Sequence, residues 1–267
     1  MLPVDLILVR HGQSEENLAI SMNRGGDKSF FTDEFRRTHD RAFRLTDKGV
    51  AQSKAVGEWL KKNVPIPFHY FYVSDFIRAK ESAFYLDLPQ AKWEVKYELR
   101  ERDQGYRDKF PPANLSGLDP YKYPHDEFLS YPPGGGESFA TLCLRGKTGF
   151  IDDLERNCWG DEKVIGVSHG YYMRAVQSVL ENLSRADFIR LNESQEPADR
   201  IFNGQIHWYS RRDPDTLKVE SSKMVAVRSV CVSGTVGDYG WRRIGPNLRS
   251  GQDLLEEISR YPRLLKG

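Results

Sequence analysis

Short β-rich runs alternate with longer segments of helical periodicity along most of this chain, and this alternation constrains the fold more than any other feature. Such alternation is typical of an α/β fold with a largely parallel sheet. We therefore predict a three-layer sandwich in which helices flank a mostly parallel central sheet. The predicted strands are residues 6–9, 70–74, 95–99, 164–168 and 205–210.

Helical patterns fill the intervals between these strands. Thr46 can cap a helix that runs to about Lys62, with its larger apolar residues on one broad face. Further helices are predicted to begin near Arg78, to span about residues 137–156, and to follow Gly170. Near the end of the chain, apolar residues at helical spacing predict a terminal helix over residues 253–265 that docks on the protein.

Two segments interrupt the alternation, and both are predicted to be loop insertions over a site at the strand ends. The first covers about residues 18–45. The second, residues 106–136, carries six prolines and four tyrosines. Long connections in compact domains usually have a function. Because no repeat or low-complexity linker is visible, residues 1–267 are predicted to form one domain with a C-terminal extension over about 213–267.

Charge and cysteine content narrow the classes of partner. The 39 Lys and Arg residues balance 38 Asp and Glu residues, so the net charge is only +1. This balance argues against a nucleic-acid-binding protein, and the first apolar run is too short for a membrane span or a signal sequence. Three cysteines without close pairs favour a reducing, cytoplasmic location and offer neither a disulfide nor a zinc site. The oligomeric state stays open, with a homodimer among the alternatives.

Charged side chains follow four of the predicted strands. Arg10, His11 and Gly12 come directly after the first strand, and Arg78 follows the second. Glu101 follows the third, and Ser168-His169-Gly170 ends the fourth. Because the carboxyl edge of an open α/β sheet is where ligands bind, two arginines, two histidines and one glutamate are expected to meet there.

These elements, in this order over about residues 6–173, resemble the histidine phosphatase superfamily, which includes phosphoglycerate mutases and many phosphomonoesterases. The resemblance implies a phosphoglycerate mutase-like fold and a phosphohistidine intermediate on His11, with Glu101 as proton donor and His169 as a second catalytic histidine. It implies a small phosphorylated substrate and no metal or other cofactor. The residues expected to hold the phosphate besides His169 are Arg10, Ser14, Asn17, Arg78 and Gly170.

The chemistry of phosphoryl transfer fits these roles. Negative charge spreads over the phosphoryl oxygens, so positioned cations supply most of the catalysis. Guanidinium groups bind such oxygens two at a time. A neutral imidazole can attack phosphorus without a metal. Three assignments have simpler alternatives, since Ser14 and Asn17 could be helix caps and Glu98 lies one helical turn from Glu101.

The sequence favours a metal-independent phosphomonoesterase over a mutase. The Phe-x-Gly-Trp passage that cofactor-dependent mutases usually carry is absent after Asn17, and the 106–136 segment has few cations for a second acidic group. Residues 203–206 look more like broad-specificity phosphatase relatives. A mutase, and a phosphate-binding module without turnover, remain alternatives.

Other catalytic motifs are weaker. Residues 166–170 satisfy G-x-S-x-G, which would make Ser168 an esterase nucleophile with His207 as its base, but this leaves the arginines unexplained. Gly146-Lys147-Thr148 resembles the end of a P-loop but lies within a predicted helix. A tyrosine-phosphatase cysteine loop and paired aspartates for magnesium are both absent.

Overall fold

A mixed β-sheet forms the centre of the molecule. The computed structural model describes residues 1–65, 67–105, 128–132, 134–219, 221–232, 237–263 and 265. Within these residues one sheet has the strand order β3-β2-β4-β1-β5-β6-β7. The strands are β1 (Asp5–Arg10), β2 (Tyr70–Ser74), β3 (Trp93–Lys96), β4 (Lys163–Ser168), β5 (Gln205–Ser210), β6 (Ala226–Cys231) and β7 (Asp238–Arg243).

Helices cover both faces of this sheet. The α-helices of the described residues are α1 (Glu15–Arg24), α2 (Asp33–Arg37), α3 (Asp47–Asn63), α4 (Ile77–Tyr85), α5 (Phe139–Gly146), α6 (Asp152–Asn157), α7 (Gly170–Leu180), α8 (Arg185–Glu193) and α9 (Gly251–Ser259). Short 3-10 turns lie at Asp40–Ala42, Tyr97–Leu99 and Pro197–Asp199, and a π-helical turn at Lys147–Ile151 joins α5 to α6.

Strand β1 explains why the sheet is buried on both faces. Leu6 and Leu8 pack into a core beneath α5 and α7, whereas Ile7 and Val9 pack into a second core beneath α3 and α4. Alternate residues of a strand point to opposite faces, so an unbroken apolar run is suited to a central strand. The α/β sandwich predicted from the sequence is confirmed.

The sheet is less parallel than predicted. β1 to β4 pair with one another in parallel, but β5 runs antiparallel to β1, and β6 and β7 continue the antiparallel pairing. The predicted strand 95–99 also differs, because β3 ends at Lys96 and the chain turns through Tyr97–Leu99 before reaching the site. The local apolar pattern could not distinguish a strand from a short turn of helix.

The helix predictions are mostly confirmed. Thr46 caps α3 through its hydroxyl group, and the helix predicted over 137–156 is present, with the π-helical turn inside it. The terminal helix is shorter than predicted, and its apolar side chains Leu254, Leu255 and Ile258 are at least half exposed. The prediction that this apolar face docks on the protein is therefore wrong for the described structure.

The two predicted insertions have different outcomes. Residues 18–45 contain most of α1, all of α2 and the Asp40–Ala42 turn, which lies against α4. Most of the second insertion, residues 106–127 and 133, lies outside the described residues. The organisation of the chain as one domain stays a prediction.

Candidate active site

The two predicted catalytic histidines lie side by side where β1 and β4 end. Arg10 pairs with Ser168 in the parallel register, and the His11 N–H continues the ladder to the Ser168 carbonyl over 2.9 Å. A histidine follows each strand, His11 after β1 and His169 after β4. The two imidazole rings therefore lie next to each other, with ring centroids 4.9 Å apart and planes inclined by 65°. Both side chains are buried.

The hydrogen bonds of His11 define which ring nitrogen can attack. Its Nδ1 lies 2.6 Å from the carbonyl oxygen of Gly12, which can only accept, so Nδ1 carries the proton. Its Nε2 lies 3.2 Å from Nε of Arg78, which can only donate. Both contacts require the same tautomer, with a lone pair on Nε2. His11 is therefore arranged as a neutral nucleophile.

Gly12 allows helix α3 to approach this loop. A Cβ atom at Gly12 would lie 2.2 Å from the carbonyl oxygen of Gly49, and one at Gly49 would lie 2.1 Å from the carbonyl oxygen of Gln13. Backbone therefore packs directly on backbone here. The Arg-His-Gly sequence needs its glycine for this packing.

Burial keeps both histidines neutral. Burial is the main cause that lowers the pKa of His11 well below its usual value, and Arg78 and Arg10 lower it further. The pKa of His169 is lowered by burial first and then by Arg78, His11 and Arg10. The two arginines thus help burial to keep His11 unprotonated.

His169 is oriented by a residue that sequence reasoning missed. Its Nε2 lies 2.8 Å from Oγ of Ser74, the last residue of β2. Its Nδ1 is buried and has no hydrogen-bond partner among the described residues. A buried ring nitrogen of this kind can bind an anion when it carries the proton.

Arg78 is in direct contact with His11, to which its Nε donates a hydrogen bond. It lies in the first turn of α4, and its side chain is only 2% exposed. Burial acts to lower its pKa, but Asp40 and Glu16 outweigh burial and raise the pKa of Arg78 above the usual value. Arg78 therefore stays charged within the core of the site.

Arg10 is the second arginine near the histidines, and it lowers the pKa of both. Its Nη1 donates to the carbonyl of Ile201 over 2.6 Å, and its buried Nε has no partner among the described residues. A Cβ atom at Gly170 would lie 3.2 Å from both Cζ and Nε of Arg10. Gly170 thus lets the guanidinium group lie against the start of α7, where helix N-termini favour anions.

Ser14 and Asn17 form a capping box at the start of α1. This agrees with the alternative interpretation of both residues as helix caps. Ser14 Oγ accepts from the Asn17 N–H over 3.2 Å, and Asn17 Oδ1 accepts from the Ser14 N–H over 3.3 Å. Asn203 donates to Asn17 Oδ1 over 2.8 Å and to the carbonyl of His11 over 3.2 Å. Since Oδ1 only accepts, Nδ2 is the Asn17 atom that can donate to a phosphate. Ser14 is buried and serves the cap.

Glu101 reaches the site from the segment after β3. Its carboxylate accepts from the N–H groups of Arg102, Tyr172 and Tyr171 over 2.9, 3.2 and 3.4 Å. Two of these donors belong to the first turn of α7, directly after His169. The negative charge of Glu101 also acts to raise the pKa of Arg10 and of Arg78. It is therefore placed near Arg10 and Arg78, as predicted, although it does not follow the end of a strand.

A buried ion pair holds the segment that carries Glu101. Arg145 of α5 forms a bidentate ion pair with Glu137, in which Nε and Nη2 donate to the two carboxylate oxygens over 2.7 and 2.8 Å. The same guanidinium group donates to the carbonyls of Glu98, Arg100 and Glu101. Glu137 lies in the Gly-Glu-Ser sequence before α5, but nothing in the sequence alone pairs it with Arg145. Glu98 thus contributes its carbonyl to this network.

Ser168 does not have the environment of an esterase nucleophile. It is fully buried, and its Oγ donates to the carbonyl of Leu99 over 2.7 Å. Lys147 and Thr148 lie in the π-helical turn, as expected of a segment inside a helix.

Within the part of the chain that the structure describes, no three His, Cys, Asp or Glu side chains cluster as metal ligands. None of the helices described has the length and apolar content that a bilayer crossing requires.

Fold and site together define a class of protein. A sheet edge that brings two neutral imidazoles and two arginines together is consistent with phosphoryl transfer through a phosphohistidine. A family model described as the histidine phosphatase superfamily (branch 1) matches residues 6–196. The chain belongs to this superfamily.

Curated relatives and solved structures extend this result. The chain is 32% identical over 196 residues to a 2,3-bisphosphoglycerate-dependent phosphoglycerate mutase of Bradyrhizobium diazoefficiens, covering 67% of this chain and 82% of the relative. Its identity to the Rhizobium meliloti protein of the same name is 31% over 201 residues, covering 70% and 84%.

Two solved phosphatases share the fold. A putative α-ribazole-5'-P phosphatase from Escherichia coli matches with a TM-score of 0.59 and 19% identity, covering 83% of this chain and 98% of that one. A mycobacterial glucosyl-3-phosphoglycerate phosphatase, solved with inorganic phosphate, has a TM-score of 0.57 and 23% identity, covering 77% and 89%.

Proposed function

We propose that this protein is a metal-independent phosphomonoesterase that works through a phosphohistidine on His11. The observation that carries the proposal is the His11 ring, whose Nδ1 proton is held by a backbone carbonyl while Nε2 faces Arg78. A small phosphorylated substrate and a cytoplasmic location belong to the same proposal.

In the first step, the lone pair of His11 Nε2 attacks phosphorus and the bond from phosphorus to the alcohol oxygen breaks. Protonated Glu101 transfers its proton to the leaving oxygen, so that a neutral alcohol departs. Arg10, Arg78 and His169 stabilise the charge on the transferring oxygens. The products of this step are the alcohol, ionised Glu101 and phospho-His11.

In the second step, water attacks the phosphorus of phospho-His11 and the N–P bond breaks. Glu101, now a carboxylate, takes the proton from this water and returns to its starting state. The electron pair of the N–P bond returns to Nε2, and orthophosphate leaves. Throughout both steps the proton stays on Nδ1, which donates it in a hydrogen bond to the Gly12 carbonyl, and this bond keeps the ring oriented.

The charges around the site support hydrolysis over mutase chemistry. A mutase retains a substrate with a second acidic group, and that group needs further cations. In the described part of the chain, Arg41 is paired with Asp75, and Arg100 and Arg145 are both paired with Glu137. Two carboxylates, Asp40 and Glu16, also face Arg78. These cations are therefore already neutralised by carboxylates, which favours a single phosphoryl group, although Arg200 also lies near enough to Arg10 to lower its pKa.

A phosphoglycerate mutase is the second candidate, because the curated relatives at about 30% identity carry that name. The two functions use the same catalytic residues and differ in whether water or the retained sugar acid receives the phosphoryl group. A phosphate-binding module without turnover is the third possibility.

Phosphate release from para-nitrophenyl phosphate and a panel of phosphorylated metabolites, with EDTA present, tests the proposal. A parallel assay follows interconversion of 3- and 2-phosphoglycerate with 2,3-bisphosphoglycerate. We expect steady phosphate release that His11→Ala abolishes. His69→Ala is the matched control, because His69 is an exposed histidine that accepts one backbone hydrogen bond from Lys163 and should leave the rate unchanged.

The other outcomes identify the alternatives. Fast isomerisation with little phosphate release would make the protein a mutase. Phosphate binding without either reaction would make it a binding module. Equal turnover by His11→Ala and the parent would show that His11 is not the nucleophile.

A further inference from the structure

The guanidinium group of Arg78 has a protein partner at each of its three nitrogens. Nε donates to His11 Nε2 over 3.2 Å. Nη1 donates to both the main-chain carbonyl and the carboxylate of Asp40, each over 2.7 Å. Nη2 lies 3.4 Å from Oε2 of Glu16. Asp40 therefore makes the two shortest contacts of this group.

These contacts divide the guanidinium group into two sides. Nε and Nη2 lie along one edge of the planar fork, which is the edge that can grip two oxygens of a phosphate. Nη1 lies on the other side, next to Cδ. Nη1 donates to two oxygen atoms of Asp40, the main-chain carbonyl and the carboxylate. Because these two hydrogen bonds fix the rotation of the guanidinium group, they orient its Nε–Nη2 edge toward His11.

Asp40 is itself anchored to the elements that carry Arg78. It begins the Asp40–Ala42 turn, which His39 caps by accepting from the Arg41 N–H over 3.1 Å. Arg41 forms a bidentate ion pair with Asp75, which lies just before α4, over 2.6 and 3.2 Å. A further bridge joins Arg44 to Glu81 of α4 over 2.7 Å. The insertion is thus held against α4 and the residues just before it by two ion pairs that follow Asp40 in the sequence.

We propose that Asp40 is a positioning residue for phosphate recognition, acting through Arg78. The inserted segment 18–45 then helps to position the phosphate site through this contact with Arg78. The inference deepens the proposed function and rests on it for the identity of the ligand, a phosphoryl group bound at His11. In this role Asp40 does not touch the phosphate. Its loss lets the guanidinium group rotate, so that phosphate binding weakens.

The test compares Asp40→Ala with Asp40→Asn by isothermal titration with orthophosphate and by KM and kcat for phosphate-ester hydrolysis. Asp40→Ala removes the side-chain acceptor, and we expect phosphate affinity to fall on the order of tenfold, with KM rising more than kcat falls. Asp40→Asn keeps an acceptor oxygen for Nη1, so it should restore affinity to within about threefold of the parent.

Two controls separate positioning from a general structural effect. Asp33→Ala removes another aspartate of the same insertion, one that is 83% exposed and 3.5 Å from Arg36, and should change nothing. In an Arg78→Ala background, Asp40→Ala should add less than about a twofold effect, because its route of action is already gone. Thermal unfolding of each variant shows that it is folded.

Three results would overturn the inference. Tighter phosphate binding by Asp40→Ala would show that the carboxylate competes with phosphate for Arg78. An undiminished effect in the Arg78→Ala background would show that Asp40 acts by another route. Unchanged affinity in Asp40→Ala would show that it has no role. If the parent binds orthophosphate but hydrolyses no ester, the proposed function fails, while the affinity comparison still decides the role of Asp40.

Discussion

Replacing Arg145 with methionine should damage both the stability of the protein and the placement of Glu101. The side chains of Arg145 and Glu137 are only 11% and 10% exposed, and their ion pair is bidentate. Removing one partner of such a buried pair costs about 3–5 kcal/mol. Because Arg100 also lies 3.2 Å from Glu137, part of the pairing survives, and we expect a loss of about 3 kcal/mol.

The effect on catalysis follows from the other contacts of Arg145. Its guanidinium group donates to the carbonyls of Glu98, Arg100 and Glu101, so its loss frees the segment that carries Glu101, the proposed proton donor. A positioned acid contributes on the order of 10²–10⁴ to the rate, and misplacement should remove about 10² of this. The kcat should fall while orthophosphate affinity stays close to that of the parent.

Urea unfolding and steady-state kinetics on three variants measure these effects. Arg145→Lys keeps the charge but cannot fork, so it should lie between the parent and Arg145→Met. Arg156→Met is the matched control, because Arg156 is 64% exposed and lies 3.6 Å from Asp153, and its loss should cost under about 0.5 kcal/mol. The reasoning is refuted if Arg145→Met and Arg156→Met lose equal stability and both keep full kcat.

Three further predictions concern the histidine loop, helix α7 and the buried histidine of β5. Gly12→Ala would place a methyl group 2.2 Å from a backbone carbonyl of α3 and should cost about 3 kcal/mol in urea unfolding, whereas Gly245→Ala, which has open space, should cost under about 0.5. Gly170→Ala places a methyl group 3.2 Å from the Arg10 guanidinium group, which must then shift, and should weaken orthophosphate binding by about tenfold in calorimetry; unchanged affinity would show that the position of this group next to Gly170 does not matter for phosphate binding. Burial lowers the pKa of His207 to about 3. Below about pH 6.5 the unfolded chain therefore binds a proton that the folded chain does not, and the free energy of unfolding decreases as the pH is lowered. His207→Gln should reduce this slope by about 1.4 kcal/mol per pH unit between pH 6 and 4, and an unchanged slope would contradict it.

The parts of the site that follow strand ends could be predicted from the sequence. An apolar strand followed by Arg10 and His11, and another followed by His169, can place these residues only at the carboxyl edge of the sheet. The position of Glu101 was also predicted, although the intervening chain is a 3-10 turn and not the end of a strand.

Contacts between distant segments could not be predicted in this way. Asp40 reaches Arg78 because the insertion folds back onto α4, and the sequence pattern of the insertion shows only that it interrupts the alternation. Ser74 and Asn203 are ordinary polar residues whose role depends on the neighbours that the sheet gives them. Strand β5 was predicted over residues 205–210, but its antiparallel direction was not, because short apolar runs do not reveal strand direction. Strands β6 and β7 were not predicted.

The central claim is that His11 Nε2 receives the phosphoryl group in a pocket shared with His169 and the two arginines. Rapid quenching of the protein with ³²P-labelled phosphate ester, followed by peptide mapping, tests it most directly. The account predicts an acid-labile, base-stable label on the peptide that contains His11, and loss of this label in His11→Ala. A label on Ser168, or turnover at the normal rate with no labelled histidine, would contradict it.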